Sequence, residues 1–258
     1  MSGPPSMRTR SSAPDAVDRA LCRSALWEAL AVGLGPPTDE TVVRLASGDG
    51  AAALGEAAAA LDRAEGADLQ PLVAALAVEP APTLAALEGA YGRLFGHTVR
   101  GPVTPYETEY GEDSVWQPQR EMSDLGAFFR AFGLRVRPDA RERPDHIACE
   151  CEFLLVLARK EAHALARGDE AMREETCRAA RSFLRDHLGR WAPALGARLA
   201  REDPDGFYGA LGRLTAAFVA TECRRVRVAA GPELLRLRSA APDPAPTACV
   251  PAAGASVE

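Results

Sequence analysis

The stretch that decides the fold is Glu142–Phe153, which reads ERPDHIACECEF and opens a long helical pattern. Pro144 is preorganised for a first helical turn, and the Asp145 carboxylate favours the positive end of a helix dipole. From about Asp145 to Arg167 apolar residues recur at helical spacing, most densely over the first half, so we expect this helix at the centre of the core. Its inward stripe is Ile147, Cys151, Leu154, Leu155, Ala158, Ala162 and Leu165.

The same period dominates the rest of the chain, and no alternating strand pattern occurs. The first helix is predicted over 15–32 with Leu21, Ala25 and Leu26 facing inward. Three short alanine-rich helices follow, broken near Gly48–Gly50, Gly66 and Pro80–Pro82, the last running from Thr83 to Phe95. Further helices are predicted around Met122, Leu125, Phe129 and Phe132, ending at Gly133, and over 169–187, 191–201 and 206–228, the last with Phe207, Leu211, Leu214 and Phe218 inward.

These patterns predict an all-α fold, a single-domain helical bundle of about nine to eleven helices. The domain is expected to occupy residues 15–230. Residues 1–14 are predicted to be a disordered N-terminal tail, and the small residues and prolines of 231–258 to be a largely disordered C-terminal tail.

Composition narrows the class of protein. The 258 residues are 47% hydrophobic and 26% charged with a formal net charge of -6, which is ordinary for a soluble protein and argues against nucleic-acid binding. No stretch approaches the roughly 20 apolar residues of a membrane span, and residues 1–14 lack the apolar run of a targeting signal. Six scattered cysteines without a paired framework suit reduced thiols, so we expect a cytoplasmic protein.

Several kinds of chemistry lack the residues they need. The single lysine, Lys160, lies mid-helix, which excludes a phosphate-binding loop of the Walker type. Cys149 and Cys151 project roughly 200° apart on a helix and cannot share one metal ion, so they are interpreted as thiols lining the core. His97, His163 and His187 are interpreted as surface histidines. No catalytic residue, metal site or cofactor is predicted.

The loop of residues 96–118 is rich in aromatic and acidic side chains. Its centre, Pro105–Gly111, reads PYETEYG, and Trp116 extends the same character. In one interpretation the tyrosines only plug the domain surface. In the other, the rings of Tyr106 and Tyr110 and the carboxylates of Glu107 and Glu109 receive an arginine-bearing peptide. The sequence does not decide between them.

Two positions at the start of the central helix are also ambiguous. For Asp145 helix capping is favoured over binding, although His146 beside it is expected to contribute nothing to a cap. Glu150 lies at the border of the apolar stripe, next to the flank formed by Phe153, where an unbonded carboxylate is costly. An internal bond to an arginine or to backbone amides is therefore expected for Glu150.

Taken together, these residues resemble the TorD/DmsD/NarJ family of cytoplasmic chaperones that mature molybdenum-cofactor oxidoreductases. The resemblance covers about residues 20–228. It is carried by Tyr91–Phe95 (YGRLF), Pro105–Tyr110 (PYETEY), Gln119–Gly133, Glu142–Ile147 (ERPDHI) and Glu150–Phe153 (ECEF). Cys151 and Leu154 depart from the usual Glu-Leu-x-Phe-Met of the family at the central helix.

The resemblance implies a non-catalytic helical chaperone. Its partner would be the N-terminal leader, often of twin-arginine type, of a molybdopterin oxidoreductase subunit in its apo form, held back from export until the cofactor is loaded. Peptide binding is carried over to Asp145 and His146. Pro144, Glu150 and Phe153 are expected to be structural, and the protein to be a monomer or a homo-oligomer that exchanges segments.

Two rival interpretations remain open on sequence alone. One is a helical metal-dependent hydrolase that uses Glu150, His146 and nearby acids, although no His-x-x-x-His or paired aspartate motif supports it. The other is a ligand-binding or scaffold helical domain with no role in export.

Overall fold

The computed structural model describes residues 15–46, 48–77, 80–96, 101–112, 117–135 and 142–238. Within these ranges the chain forms ten α-helices and no β-strand, as the periodicity predicted. None of the described helices combines the length and hydropathy that crossing a bilayer requires. The helices are α1 Ala16–Leu34, α2 Asp39–Thr41, α3 Gly48–Glu65, α4 Gln70–Ala74, α5 Leu84–Phe95, α6 Gln117–Ala131, α7 Ile147–Arg167, α8 Glu170–Asp186, α9 Leu188–Glu202 and α10 Phe207–Arg225.

Helix α7 lies at the centre of the bundle and packs against α1 and α8. Six of the seven residues of its predicted stripe are buried, and only Leu165 is half-buried. Its last turn is closed by Gly168 in the left-handed conformation (φ +66°), whose N–H donates to the carbonyls of Ala164 and Leu165. The burial of Phe153 and Leu157 explains why apolar residues surround the first half of this helix.

Helices α9 and α10 form a tightly packed antiparallel pair. They approach most closely at Gly196 and Gly212, where a Cβ atom on Gly212 would lie 2.5 Å from the Gly196 carbonyl oxygen. The predicted inward row of α10 is buried throughout: Phe207, Leu211, Leu214 and Phe218. The two glycines therefore permit a helix separation that any side chain would increase.

An arginine buried in α1 joins four helices. Arg23 is 4% exposed and its guanidinium lies 2.8 Å from Glu161 of α7, 3.7 Å from Glu65 of α3 and 4.0 Å from Glu222 of α10. The inward position predicted for Leu26 is confirmed, because this side chain is fully buried, and Ala25 is half-buried. The inward position predicted for Leu21 is wrong, because that side chain is 48% exposed. The stripe of α1 runs through Ala20, Arg23, Ser24, Trp27, Leu30, Ala31 and Leu34.

The helix breaks predicted in the first half of the chain are confirmed. The break near Gly48–Gly50 falls at the start of α3, which begins at Gly48 and continues through Gly50. A five-residue π-helical segment, Val42–Ala46, precedes it. The breaks at Gly66 (φ +64°) and before α5 are confirmed, with the Thr83 hydroxyl accepting from the Ala86 N–H at 3.2 Å. Gly133 follows α6 with φ +74°.

After α10 the chain returns across the bundle in extended form. We call Val228–Arg238 the C-terminal strap. Its Gly231 N–H donates to the Gly189 carbonyl at 2.7 Å, and Arg238 at its end is 6% exposed. Residues 231–238 were assigned to a largely disordered tail, and the structure places them against the helices. The rest of that tail, 239–258, and the N-terminal tail, 1–14, lie outside the described residues.

The close approach of α9 and α10 gives a test of the packing. We expect Gly212→Ala to lower the free energy of unfolding by about 2 kcal/mol, because the new methyl group forces the two helices apart. Gly89→Ala is the matched control, since Gly89 lies in α5 with open space around its Cα. That change should instead stabilise the protein by about 0.5–1 kcal/mol through better helix propensity. Urea unfolding of both variants measures the difference, and equal effects would contradict the packing.

Candidate functional site

The acidic loop and the start of α7 come together in the structure. We call Pro105–Glu112 the connector loop; its residues Glu107–Glu109 form a single 3-10 turn. On one edge the loop pairs with the α7 entrance through an antiparallel bridge between Tyr106 and His146, and the Glu107 N–H donates to the Asp145 carbonyl at 2.9 Å. On the other edge Tyr110 pairs with Leu237 of the C-terminal strap. The loop is thus held between two elements that are distant in sequence.

Asp145 is fully buried and its carboxylate is engaged within the protein. Its Oδ2 accepts from the Thr108 hydroxyl at 2.7 Å and from Arg143 Nη2 at 2.7 Å, while Oδ1 accepts from Arg143 Nε at 3.0 Å. The Arg143 guanidinium also lies over the Tyr106 ring, 4.5 Å from its centroid. The combination of ring face and carboxylate predicted for an incoming arginine is therefore filled here by Arg143.

His146 is the N-cap of α7. Its Nδ1 accepts a hydrogen bond from the Ala148 N–H at 3.1 Å, so the ring carries its proton on Nε2 and is neutral. Burial lowers the pKa of His146, against the opposing charges of Glu142 and Asp145. The expectation that this imidazole contributes nothing to capping was wrong, because the lone pair of a neutral ring nitrogen serves as the cap acceptor. Asp145, which was expected to cap, instead binds the connector loop.

Tyr106 and Glu142 form the partly exposed edge of this arrangement. The Tyr106 hydroxyl donates to Glu142 Oε2 at 3.2 Å, and its ring meets the His146 ring edge-on at 5.3 Å between centroids. Burial and the Glu142 charge raise the pKa of Tyr106 to about 12, so the hydroxyl remains a donor at neutral pH. Pro144, predicted to be structural, is half-buried beside them.

Glu107 points away from this edge into the protein and meets a histidine. It is 2% exposed, and its Oε2 lies 3.0 Å from Nδ1 of His187 at the junction of α8 and α9. The other ring nitrogen of His187 faces Asp124 Oδ2 at 3.4 Å. Burial alone would lower the pKa of His187, but the hydrogen bond and charge of Glu107, with Asp124, raise it. Burial raises the pKa of Glu107 against the opposing effect of His187.

The surface position expected for His187 was therefore wrong, because its side chain is 1% exposed. A signal for its burial is present in the sequence: Phe183, Leu184, Leu188 and Trp191 surround it at helical spacing, and all four are buried. Of the other two histidines interpreted as surface residues, His163 is exposed and His97 lies outside the described residues.

Glu150 is also fully buried, one turn into α7. Neither carboxyl oxygen has a hydrogen-bond partner among the described residues, so the expected bond to an arginine or to backbone amides is not found. Burial raises the pKa of Glu150 well above its usual range, helped by the charges of Glu107 and Asp145 and opposed by the neighbouring Trp191 indole N–H. Burial therefore favours the protonated, neutral form of this carboxyl group.

Aromatic packing fixes the residues behind the site. Phe153 is 1% exposed and stacks against Phe183 with ring centroids 4.6 Å apart, in agreement with its predicted place beside the core stripe. Tyr110 is buried, its ring lies 5.0 Å from that of Trp191, and its hydroxyl donates to the Thr104 carbonyl at 2.9 Å. Tyr110 therefore plugs the domain surface, whereas Tyr106 and Glu109 are half-buried. Trp116 lies outside the described residues.

A cavity of about 720 Å³ adjoins the buried Glu107–His187 pair. Its wall combines carboxylates, arginines and the His187 ring, namely Gln117, Arg120, Glu121, Asp124, Asp186, His187 and Arg190. A second cavity of about 460 Å³ lies at the Arg23 cluster and contains none of the predicted site residues. Across the described part of the chain, no three or more histidine, cysteine, aspartate or glutamate side chains are grouped as a metal site would require.

The comparisons with known proteins agree on one family. Residues 58–197, which include the connector loop, the start of α7 and His187, match the family described as Nitrate reductase delta subunit. The selenate reductase assembly chaperone protein of Thauera selenatis is 36% identical over 147 residues, covering 54% of this chain and 72% of that protein. The dimethyl sulfide dehydrogenase assembly chaperone protein of Rhodovulum sulfidophilum is 30% identical over 207 residues, 78% of each chain. Chaperone protein TorD of Photobacterium profundum is 30% identical over 48% of this chain and 56% of that protein.

The buried Glu150 carboxyl makes stability depend on pH. Because its pKa is raised in the fold, the folded state keeps a proton that the unfolded chain releases above about pH 4.3, so its contribution is full at low pH and declines as the pH rises. We expect Glu150→Gln to make the decline in unfolding free energy above about pH 5 shallower by up to about 1.4 kcal/mol per pH unit. Urea unfolding across that range measures it. The control for net charge is Glu174→Gln, at an exposed position of α8. If the unfolding free energies of Glu150→Gln and wild type change in parallel with pH, the protonated form of Glu150 in the fold is contradicted.

The pair of Glu107 and His187 gives a second test. We expect His187→Ala to lower the free energy of unfolding by about 3 kcal/mol, because it leaves the buried Glu107 without this partner. The double variant with Glu107→Gln should lose less than the sum of the two single changes, which a double-mutant cycle in urea measures. His163→Ala, on the exposed side of α7, should change stability by less than about 0.5 kcal/mol. Strict additivity would show that the pair contributes no coupling.

Proposed function

The chain belongs to the TorD/DmsD/NarJ family, and we propose that it is an assembly chaperone that binds the N-terminal leader of a molybdopterin oxidoreductase catalytic subunit. In this proposal it acts in the cytoplasm, holds the apo subunit until the cofactor is loaded, and delays export until then. The names of the relatives, assembly chaperones of selenate reductase and dimethyl sulfide dehydrogenase, support the maturation role. Leader binding is the part of the proposal that the experiments below test.

The observation that carries the proposal is the position of the connector loop. It lies at the mouth of the central helix with carboxylates on both its exposed and its buried sides. Glu112 and Asp124 are exposed, Glu109 and Glu142 are half-buried, and the half-buried Tyr106 lies among them. A leader of this type begins with cationic residues and continues with an apolar segment, so a receptor needs carboxylates and aromatic surface in one place.

The predicted binding residues divide into two groups by exposure. Tyr106 and Glu109 are accessible enough to contact a peptide directly. Glu107, Tyr110, Asp145 and His146 are buried, and their hydrogen bonds hold the loop and the first turn of α7 in place. We propose that this second group acts on the leader by positioning the first. Trp116 remains in the proposed contact set, although it lies outside the described residues.

A non-catalytic role is part of the proposal. The hydrolase alternative requires acids that reach a metal or a water molecule, whereas Glu150 is fully buried, Asp145 is engaged by Thr108 and Arg143, and Glu107 is engaged by His187. The nitrogen Nδ1 of His146 is occupied as the cap acceptor of α7. These internal bonds favour a structural role for the buried acids, which hold the residues of a binding surface in place.

Titration of a synthetic leader into the full chain tests the function. The peptide carries two adjacent arginines followed by an apolar run, and binding is measured by isothermal calorimetry at two salt concentrations. We expect binding that weakens as salt rises, because the contacts are electrostatic. Tyr106→Ala should weaken it by about tenfold, because it removes one aromatic packing surface and the ring that holds the Arg143 guanidinium in place. A peptide with both arginines replaced by glutamine is the ligand control.

The matched protein control is Tyr106→Phe, which keeps the ring and removes only the hydroxyl that bonds Glu142. It should bind the leader within about threefold of wild type, since the ring keeps its packing surface and its contact with Arg143. Circular dichroism of each variant checks that the fold is retained. Binding of the glutamine peptide as tight as that of the arginine peptide, or no binding at either salt concentration, would contradict the proposed function.

A further inference from the structure

The C-terminal strap brings an arginine into a pocket on the connector loop. Arg238 is 6% exposed although it lies at the end of an extended segment. Its Nη1 donates to the Thr108 carbonyl at 2.5 Å, its Nε donates to the Glu112 carbonyl at 3.0 Å, and both terminal nitrogens reach the Glu121 carboxylate at 3.1 and 3.3 Å. Two backbone carbonyls and one carboxylate therefore surround a single guanidinium, a set of acceptors that matches the forked N–H donors of arginine.

The backbone around Arg238 pairs with the same loop. Arg238 N–H donates to the Glu109 carbonyl at 2.9 Å, and Gly111 N–H donates to the Arg236 carbonyl at 2.8 Å, which creates the bridge between Tyr110 and Leu237. This is the pattern by which an extended peptide adds to a free backbone edge. The strap shows how a segment with an arginine at this register binds to the connector loop.

Arg238 and Arg143, the other arginine at the loop, are held in place in different ways. Arg143 lies two residues before Asp145, so the local turn fixes it beside its carboxylate. Arg238 is 117 residues from Glu121 along the chain, and it is held only as long as the strap stays in place. Six of the eleven strap residues are exposed, including Leu234 at 78%. The strap is therefore a surface segment with few buried side chains, and Arg238 is its most buried residue.

We propose that the Glu121–Thr108–Glu112 pocket is a binding site for an arginine in an extended peptide, which the C-terminal strap occupies in the free protein. The inference rests on the proposed function for the identity of the peptide, a leader with cationic and apolar residues. The strap has matching chemistry, since arginines and leucines alternate in Leu235–Arg238 and both of these leucines are half-buried against the core. Binding of a leader then requires release of the strap.

Competition between strap and leader predicts the effect of substitutions. A segment that fills the site for about nine-tenths of the time weakens the apparent affinity for a competitor about tenfold. Arg238→Gln removes the guanidinium and should therefore raise the affinity for an arginine-bearing leader by about tenfold. Glu121 keeps Arg190 at 3.7 Å in this variant, so its carboxylate is not left alone. Arg238→Lys, which keeps the charge and loses the forked geometry, should give an intermediate value.

The experiment uses the full chain and two fluorescent peptides. One is a leader with two adjacent arginines, and the other is a copy of residues 231–240, GPELLRLRSA. Both should bind Arg238→Gln about tenfold more tightly than wild type, measured by anisotropy. Arg236→Gln is the matched control, because it removes an exposed arginine from the same strap, and it should stay within about twofold of wild type. A strap copy with Arg238→Gln should not bind.

Hydrogen exchange provides the second measurement. Adding leader to wild type should increase amide exchange in residues 231–238, since the strap is displaced. Unchanged protection of these amides with leader bound, or equal affinities of wild type and Arg238→Gln, would overturn the inference and leave leader binding itself intact. If the leader binds no variant while the strap copy binds Arg238→Gln through its arginine, the pocket is supported and the proposed function fails. If neither peptide binds any variant, both are overturned.

Discussion

A carboxylate taken wholly out of water needs fixed donors, and Asp145 obtains them by holding the connector loop against the start of α7. Its side chain fixes Thr108 and Arg143, and its carbonyl fixes the Glu107 N–H. The loop can then turn Glu107 inward to His187 and present Tyr106 outward. The remaining edge of the loop is left to pair with the C-terminal strap. The geometry of the whole site follows from satisfying this one buried charge.

The helices could be predicted from the sequence wherever the residues on their buried face are apolar. Phe207, Leu211, Leu214 and Phe218 of α10 follow the 3.6-residue period, and all are buried. The prediction failed in α1, where the inward stripe contains Arg23. From sequence alone, an arginine in an apolar stripe indicates that this turn of the helix faces solvent. The carboxylates that pair with Arg23 are those of Glu65, Glu161 and Glu222, which lie in three other helices. Periodicity carries no information about ion pairs of this range.

The composition of the site was predictable, and the direction of its side chains was not. The sequence identified the acidic loop and the Asp145–His146 entrance as candidate binding residues, and the structure joins them at the Tyr106–His146 bridge. Which tyrosine faces inward depends on Trp191, which packs on Tyr110 from the α9 side. The cap function of His146 depends on a neutral ring, which burial favours. Each of these choices is made by tertiary contacts, so no local pattern determines it.

The connector loop and the helices around it concentrate buried acids beyond what stability alone favours. Glu107, Glu121, Asp145 and Glu150 are all buried, and each costs desolvation energy. The chain offsets three of these charges with His187, Arg238 and Arg143. In such a site, exchanging one guanidinium for another preserves the number of charge-assisted hydrogen bonds. The arginine of an incoming peptide therefore gains nothing over Arg238 of the strap. The apolar segment of the partner would decide whether the strap is displaced.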